Sequence, residues 1–578
     1  MRWALRNADE AVVRTLTTEL KLSPIVARLL AARDITAPEK AQKFLLPILS
    51  DLHSPYLMLG MKTAVERLQS AIENREPVLI YGDYDVDGTT AVVILKTTIE
   101  ILGGITHFHV PHRIRDGYGM KEDVIERAAA EGVRLIISVD TGIRAFAAAE
   151  TARRVGVDLI VTDHHLPETH EGVPHALAVL NPNQPGCEYP CKELCGAGVA
   201  FKVAQALLEA AGRDRLLPSF IKLVAIATIA DAVPLIGENR ILAKIGLKGL
   251  QDPRNIGLKT ILEIAGVDIS RPVGTGEIAF RVAPRLNAAG RMDVAEDVIK
   301  LFSVKDPAEA RAIAQKLHDL NGDRQAEEAR ILEEIHAALA ANPEMRDAYC
   351  IVVDGDGWHR GVIGITATRV VERYCRPAIV LSRDGEDAHG SGRSIRGFHL
   401  LDALESCREV FTRFGGHAHA VGLGLPCERI AELRSRLDAY ARGRLTPEDF
   451  IPVLDYDADV NLNEVSETLY DSIQQLQPFG MGNPEPVFGA HGINVVVPPK
   501  VLKEKHLKLR LAQQNGGGRQ KSWQAMAWRM AERLATDPIV VGDSIDIAFT
   551  LEHNDHPDFG GLEFRLCDFR RTAVATAQ

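Results

Sequence analysis

The chain is 578 residues long, 46% apolar and 25% charged, and carries a formal net charge of −11. That length allows about three or four domains, and the composition excludes a disordered chain, a collagen-like repeat and a small disulfide scaffold. Eight cysteines are too few for a disulfide framework, and the acidic balance argues against a body coated in basic surface while leaving room for a basic groove.

The first 50 residues read as a helical lead-in, with AVVRTLTTEL and PIVARLLAAR as helices. The opening residues lack the apolar centre of a signal peptide. Nowhere do about 18 uncharged apolar residues run together, so a cytoplasmic protein without a membrane span is expected. From residue 78 strand and helix alternate. Short apolar strands at 78–81, 105–110, VRLIISVD, VDLIVTD and 176–180 are separated by the helices AVVILKTTIEIL, EDVIERAAAEG and RAFAAAETARRVG. Such alternation predicts βαβ units and a largely parallel sheet. Residues 196–304 are mostly helical. Residues 306–341 are rich in Ala, Glu, Arg and Gln. Their apolar stripe is too narrow for a core helix along its whole length, which predicts a helix connecting two lobes. A second α/β pattern follows: strand YCIVVDG, helix GVIGITATRVVERY, strand PAIVLS and helix FHLLDALESC. Beyond Pro447, segments such as INVVVPPKVL, LKLRLA and GLEFRLCDF alternate apolar and polar residues, predicting an antiparallel β domain closed as a small barrel. The expected fold class is α/β, with two α/β lobes and a C-terminal β-barrel. The expected domains are 1–50, 51–305, 306–341, 342–445 and 446–578.

The chemistry gathers just after the strands of the first lobe. Asp83, Asp85 and Asp87 follow the first strand in YGDYDVDGTT, Asp140 follows LIISV, and Asp163, His164 and His165 follow DLIV. Asp231 ends the apolar run IKLVAIATIA. In an open parallel sheet, ligands bind off the carboxyl ends of the strands. A single acid there is ordinarily a helix cap, but separate segments that each deliver carboxylate or imidazole to one rim point to a shared cation site. So many like charges need protonation or metal to coexist. Oxygen-rich ligation with one or two imidazoles suits Mn²⁺ or Mg²⁺ better than zinc. Two such ions about 4 Å apart support phosphoryl displacement, so metal-assisted hydrolysis of a phosphoester is the expected reaction.

GDYDVDG, VDTG, TDHH and IADAVPL together resemble the four motifs of the DHH phosphoesterase superfamily. WHRGVIGI, GSGRS and RFGGHAHAVG resemble its DHHA1 domain, and RVAPRLNAAGRMD and QPFGMGNPEPVF extend the likeness to the branch that degrades single-stranded DNA. The resemblance implies Asp85 and Asp87 as a metal-binding pair with Asp83 before them. It implies Asp140 as the acid shared by both ions, and His164 and Asp231 as further ligands. His165 would orient a ligand or touch phosphate, with Asp163 fixing a histidine tautomer. It also implies an OB-like fold for the C-terminal barrel.

Phosphate-binding groups are expected across the cleft. Ser391, Gly392 and Arg393 of GSGRS read as a loop that the resemblance assigns to a 5′-terminal phosphate, and His417, with Gly415 and Gly416, follows the same logic. Arg113, Arg115, Arg285, Asn287 and Arg291 are candidates for the strand's path. In the β domain, Lys503, Lys505, Lys508 and Arg510, near Trp523 and Trp528, suggest a single-strand track in which charge holds the backbone and rings stack bases. Trp358 and His359 either stack on a base or pack the lobe. Cys187, Cys191 and Cys195, with His170 as a doubtful fourth, read as incidental thiols rather than a zinc site.

The resemblance implies a metal-dependent 5′→3′ exonuclease that degrades single-stranded DNA to 5′-mononucleotides in recombination and repair. It would use two divalent cations, Mn²⁺ or Mg²⁺, and work as a monomer with a single-strand-binding protein and a helicase. Two other readings stay open: a phosphodiesterase of short oligonucleotides or cyclic dinucleotides, and a non-catalytic single-strand-binding scaffold.

Overall fold

A computed structural model describes residues 1–168, 171–513, 521–554 and 560–572. The chain divides into two compact units, one formed by residues 49–451 and the other by residues 1–48 together with 452–578. Among the described residues no helix is long and apolar enough to cross a membrane.

The first lobe of the larger unit is a five-stranded, all-parallel sheet in the order Ile105–His109, Pro77–Tyr81, Leu135–Val139, Asp158–Thr162, Ala178–Leu180. Its inner strands are near-continuous Leu, Ile and Val because both faces are covered. Val78, Ile80, Leu135, Ile137 and Ile160 join one core with the helices Val86–Ile101 and Gly196–Ala210. The alternate residues Leu79, Tyr81, Ile136, Leu159 and Val161 join a second core with Glu122–Ala130 and Phe146–Arg154. From Pro77–Tyr81 the chain runs out to the edge strand and then returns to Leu135–Val139 on the other side. The strand order therefore reverses between these two strands, and a ligand crevice opens at such a reversal.

The helix Pro307–Ala341 is capped by the Asp306 side chain, which accepts from the Ala308 amide. Its first half gives Ala310, Ala314 and Leu317 to the first-lobe core. Its second half gives Ile331, Ile335 and Leu339 to a core of the second lobe. Asn321 and Arg324 are buried between the two halves.

The second lobe holds more β-structure than the two strands expected. Its sheet has five strands, in the order Arg413–Gly416, Ala420–Pro426, Asp387–Arg393, Ala378–Asp384, Ile351–Asp356. The first four residues of GSGRS, Gly390 to Arg393, end the strand Asp387–Arg393 and are not a loop; Ser394 follows the strand. Its glycine content reflects close packing rather than a turn, because a Cβ on Gly392 would stand 2.7 Å from Val421 and 2.8 Å from Leu400.

In the smaller unit five strands close into a barrel. Phe488–Leu502 pairs with both His506–Gln513 and Ser544–Asn554, and Ser522–Ala527 with Gly561–Arg571 completes the ring. The barrel is not wholly antiparallel as expected, since Ser522–Ala527 and Gly561–Arg571 run parallel. The segment read as a helical lead-in opens with a strand, Arg2–Leu5, parallel to Val453–Tyr456. Four residues without strong alternation gave no local sign of it, and its partner lies far along the chain. Leu16, Leu29, Leu30 and Phe44 from the N-terminal helices share one core with the barrel residues Leu509, Phe549 and Phe564.

Arg33 ties these pieces together from a buried position. It donates to Asn483 (2.9 Å), to the carbonyls of Leu29 and Pro484 (both 2.7 Å) and to Asp457 (3.2 Å). Arg33→Ala leaves the buried Asp457 carboxylate with the Val487 amide (3.0 Å) and the longer Arg6 contact of 3.4 Å. Removing one partner of a buried ion pair costs about 3–5 kcal/mol, so the calorimetric transition of this unit is expected to fall by several degrees with the other transition unmoved.

Candidate active site

Both sides of the strand-order reversal carry acids. Asp85 is the N-cap of Val86–Ile101 and accepts from the amides of Asp87 (2.9 Å) and Gly88 (3.1 Å). The cap and the site reading thus apply to the same residue, since a carboxylate has two oxygens. Asp87 is buried and accepts from the amides of Gly196 (2.6 Å) and Ala197 (2.8 Å) at the start of Gly196–Ala210, where the helix dipole favours an anion. Asp140 stands in the left-handed region at φ +58°. Gly196 lets the helix approach it, because a Cβ there would lie 2.5 Å from the Asp140 Cβ.

His164 and Asp231 complete the cluster. The His164 Nε2 lies 3.2 Å from an Asp140 oxygen and 3.8 Å from both Asp87 and Asp231. Three groups each offer ligand atoms within 4.8 Å of one another: Asp83, Asp85 and Asp140; Asp87, His164 and Asp231; and Asp140, His164 and His165. Asp140 and His164 are shared between groups, as expected where two cations sit side by side.

The electrostatics favour a cation in the cluster. The carboxyls of Asp83, Asp140 and Asp231 are pushed well above the usual range, first by burial and then by neighbouring carboxylates. The Oδ1 atoms of Asp83 and Asp140 are buried and accept no hydrogen bond; the His164 nitrogen beside Asp140 lacks hydrogen-bond geometry. Burial lowers the His164 pKa, favouring the neutral imidazole that a metal needs. Buried acceptors without donors, crowded carboxylates and a neutral imidazole fit hard divalent cations such as Mn²⁺ or Mg²⁺. No thiol joins a group among the described residues: Cys187, Cys191 and Cys195 are buried and free, and His170 lies outside those residues.

Asp163 has a different task. It accepts from the amides of Ile143 (2.9 Å), His164 (2.7 Å) and His165 (3.1 Å), and its Oδ1 lies 2.7 Å from His165 Nδ1. Burial opposes its charge, but the His165 bond and nearby imidazoles outweigh burial and lower its pKa. The same contact raises the His165 pKa against burial.

A cleft of about 490 Å³ between the lobes carries five arginines: Arg113, Arg291, Arg360, Arg393 and Arg413. No carboxylate lines it among the described residues. Arg393 donates to Ser391 Oγ (3.1 Å) and the Gly392 carbonyl (2.8 Å). Arg291 donates to the Gly361 carbonyl (3.2 Å). Its pKa is lowered to about 10, first by burial and then by Arg113. Arg113 lies over the Tyr84 ring at 3.9 Å. Guanidinium groups crowded without acids make an anion site.

Other candidates lie elsewhere. Arg115 is exposed and paired with Asp116. Arg285 turns to the connecting helix, donating to His318 Nδ1 (3.0 Å). Asn287 Oδ1 accepts from the Val86 amide (3.1 Å), bracing the acid-bearing turn. His417 lines a neighbouring cavity of about 480 Å³ with Tyr118, Arg144 and His165. Trp358 is core, its indole donating to Glu334 (2.7 Å), and the His359 Nδ1 accepts from the Gly361 amide (3.1 Å). On the barrel, Lys508 and Arg510 alternate with buried Leu507, Leu509 and Leu511, and Lys503 and Lys505 flank the tight turn before them. Trp523 is buried against Phe564 and not available for stacking, whereas Trp528 is exposed beside His506. Sequence reasoning missed Arg360 and Arg413, although both lie inside motifs it singled out, WHRGVIGI and RFGGHAHAVG.

A parallel lobe with acids at its switch point, set against a second lobe across an arginine-lined cleft, is the architecture of the DHH–DHHA1 phosphoesterases. Residues 77–228 match the DHH family, N-terminal domain, residues 347–443 the DHHA1 domain, and residues 456–568 the RecJ OB domain. The chain belongs to the RecJ family. It is 33% identical over 532 residues to the single-stranded-DNA-specific exonuclease RecJ of Escherichia coli, covering 89% of this chain and 90% of the relative. It is 41% identical over 488 residues to that of Bacillus subtilis, covering 84% of this chain but only 61% of the relative, less than two thirds of its length. It is also similar to the crystal structure of RecJ in complex with Mn²⁺ from Thermus thermophilus, with a TM-score of 0.84 at 28% identity, covering 99% of this chain and 80% of that one.

Proposed function

We propose that this chain is a metal-dependent exonuclease acting on single-stranded DNA, and that it removes 5′-mononucleotides from the 5′ end. The observation that carries this reading is the acid–imidazole cluster beside a cleft whose five arginines have no acid among them in the described residues. Mn²⁺ or Mg²⁺ bound by Asp83, Asp85, Asp87, Asp140, His164 and Asp231 would supply Lewis-acid stabilisation of the scissile phosphate's charge. The chain's residues do the rest. The Gly196 and Ala197 amides fix Asp87, and Asp163 fixes His165. Arg393, Ser391 and Arg291 hold a 5′-terminal phosphate one nucleotide from the scissile one. Binding the terminal phosphate counts from the 5′ end, which accounts for polarity. The barrel matched to the RecJ OB domain favours a polymer substrate over a dinucleotide. The same reading carries action in DNA recombination and repair in the cytoplasm, as a monomer beside a single-strand-binding protein and a helicase.

The test is purified protein with single-stranded DNA labelled at either end and a metal series. The 5′ label is expected to appear first, as mononucleotide. Faster turnover of a dinucleotide or cyclic dinucleotide than of a long strand favours the short-substrate reading. Arg393→Ala is expected to raise KM about 10–150-fold for a 5′-phosphorylated strand, since a bond to a charged group contributes about 1.5–3 kcal/mol. A 5′-hydroxyl strand, which does not use this contact, is expected to change less than threefold in the same assay.

A further inference from the structure

Phe280 is the most exposed large apolar side chain among the described residues, at 81%. It lies in a π-helical turn, Ile278–Val282, whose Ile278 and Val282 are buried. Such turns are rare and occur mostly at functional sites. Folding therefore holds an aromatic ring out in water on a rigid support, with no protein core to account for it.

The ring also lines a groove of about 330 Å³ with Asn287, Arg291, Arg324, Gln325 and Arg369. Ala230 forms part of its wall, and the next residue is Asp231 of the acid cluster. Arg291 lines this groove and the arginine cleft alike. Anion cleft, acid cluster and groove thus meet around a few residues. Three arginines against one acid, Glu328, leave the groove's lining cationic. Glu328 pairs with both Arg324 (2.8 Å) and Arg369 (3.2 Å), so these guanidiniums are held in place.

We propose that Phe280 is a stacking platform for a base on the 3′ side of the scissile phosphate, and that this groove carries the strand there. The inference rests on the exonuclease reading above. With the terminal phosphate in the arginine cleft and the scissile phosphate at the acids, the rest of the strand must leave on the remaining side, past Asp231. A base laid on the ring covers apolar surface that folding leaves wet, without requiring a particular base. Phe280 is a positioning residue: it touches no reacting atom and holds the strand in register.

The experiment uses the full chain with Mn²⁺, a 5′-phosphorylated 20-nucleotide strand, and Phe280→Ala and Phe280→Trp. Stacking on an aromatic ring contributes about 1–3 kcal/mol per base, which is about 5–150-fold. Phe280→Ala is expected to raise KM for the strand about tenfold or more, with kcat changed less than threefold and the melting temperature unmoved. Phe280→Trp is expected to restore KM. In a second readout, 2-aminopurine is placed at successive positions of the strand, with Ca²⁺ replacing Mn²⁺ to slow cleavage. The wild type is expected to quench it at one or two internal positions, and Phe280→Ala to lose that quenching. If wild type degrades the strand and Phe280→Ala matches its KM, or Phe280→Trp is impaired as much as Phe280→Ala, the stacking role is overturned. If wild type itself leaves the strand intact, the exonuclease reading falls instead.

Discussion

Asp140→Asn is expected to slow strand degradation at least a thousandfold, roughly 4 kcal/mol of lost transition-state stabilisation, while affinity for single-stranded DNA stays within about threefold. The side chain belongs to two of the three ligand groups, so losing its charge weakens both. It faces the acids rather than the arginines, so strand affinity survives. Asparagine is the right probe because Asp140 sits at φ +58°, a conformation that asparagine accepts and alanine resists. The same substitution is expected to raise the melting temperature of the metal-free protein. Asp140 is buried against Asp83, Asp85, Asp87 and Asp231, whose charges each oppose its own. Replacing it removes repulsion that serves chemistry and not folding. Slower turnover with higher stability separates a site residue from a structural one, which would lose both. Quantitative gel assays, fluorescence anisotropy and calorimetry read the three quantities, and near-wild-type turnover would remove Asp140 from the mechanism.

The acids were legible because the first lobe advertises its own topology. Runs such as LIISV and DLIV are short, apolar and β-branched, and each ends abruptly in an acid or a histidine pair. Asp231 was visible in the same way, as the first charge after an apolar helix. The strand Asp387–Arg393 was not visible, because Gly390 and Gly392 read as a turn until Leu381, Val421 and Leu400 are seen filling the space where side chains would stand. Arg360 and Arg413 gave no individual signal. An arginine on a sheet rim looks like any solvated cation, and only folding reveals that five of them share one cleft that, among the described residues, no acid lines. Trp523 misled for a related reason. The alternation of SWQAMA marks a strand with one face inward, but not which residues take that face, and the tryptophan takes it. Phe280 gave no signal of its own: Ile278 and Val282 take the buried face, and the residue midway between them stands on the other.

Chelation is expected to abolish turnover and to reverse how stability depends on pH. In the metal-free protein, burial and mutual repulsion raise the carboxyls of Asp83, Asp140 and Asp231 above their unfolded values. From about pH 4 upward the unfolded chain gives up these protons while the folded chain keeps them. Stability therefore falls as pH rises through that window, until the folded groups ionise as well. Bound divalent cations demand the ionised form, so metal affinity grows with pH and stabilisation grows with it. At a cation concentration one hundred times the dissociation constant, each site adds about 2.7 kcal/mol. Other carboxyls shift the opposite way: Asp163 and Asp546 are held below their usual range, and they lose stability on acidification. The comparison that isolates the cluster is therefore wild type against Asp140→Asn, both metal-free, between pH 5 and pH 8. The stability advantage of the variant is expected to widen with pH, and to become a deficit once Mn²⁺ is restored. A gap that stays constant across that range, with and without metal, would mean that Asp140 neither titrates nor binds a cation, and the two-metal account would fail at its central residue.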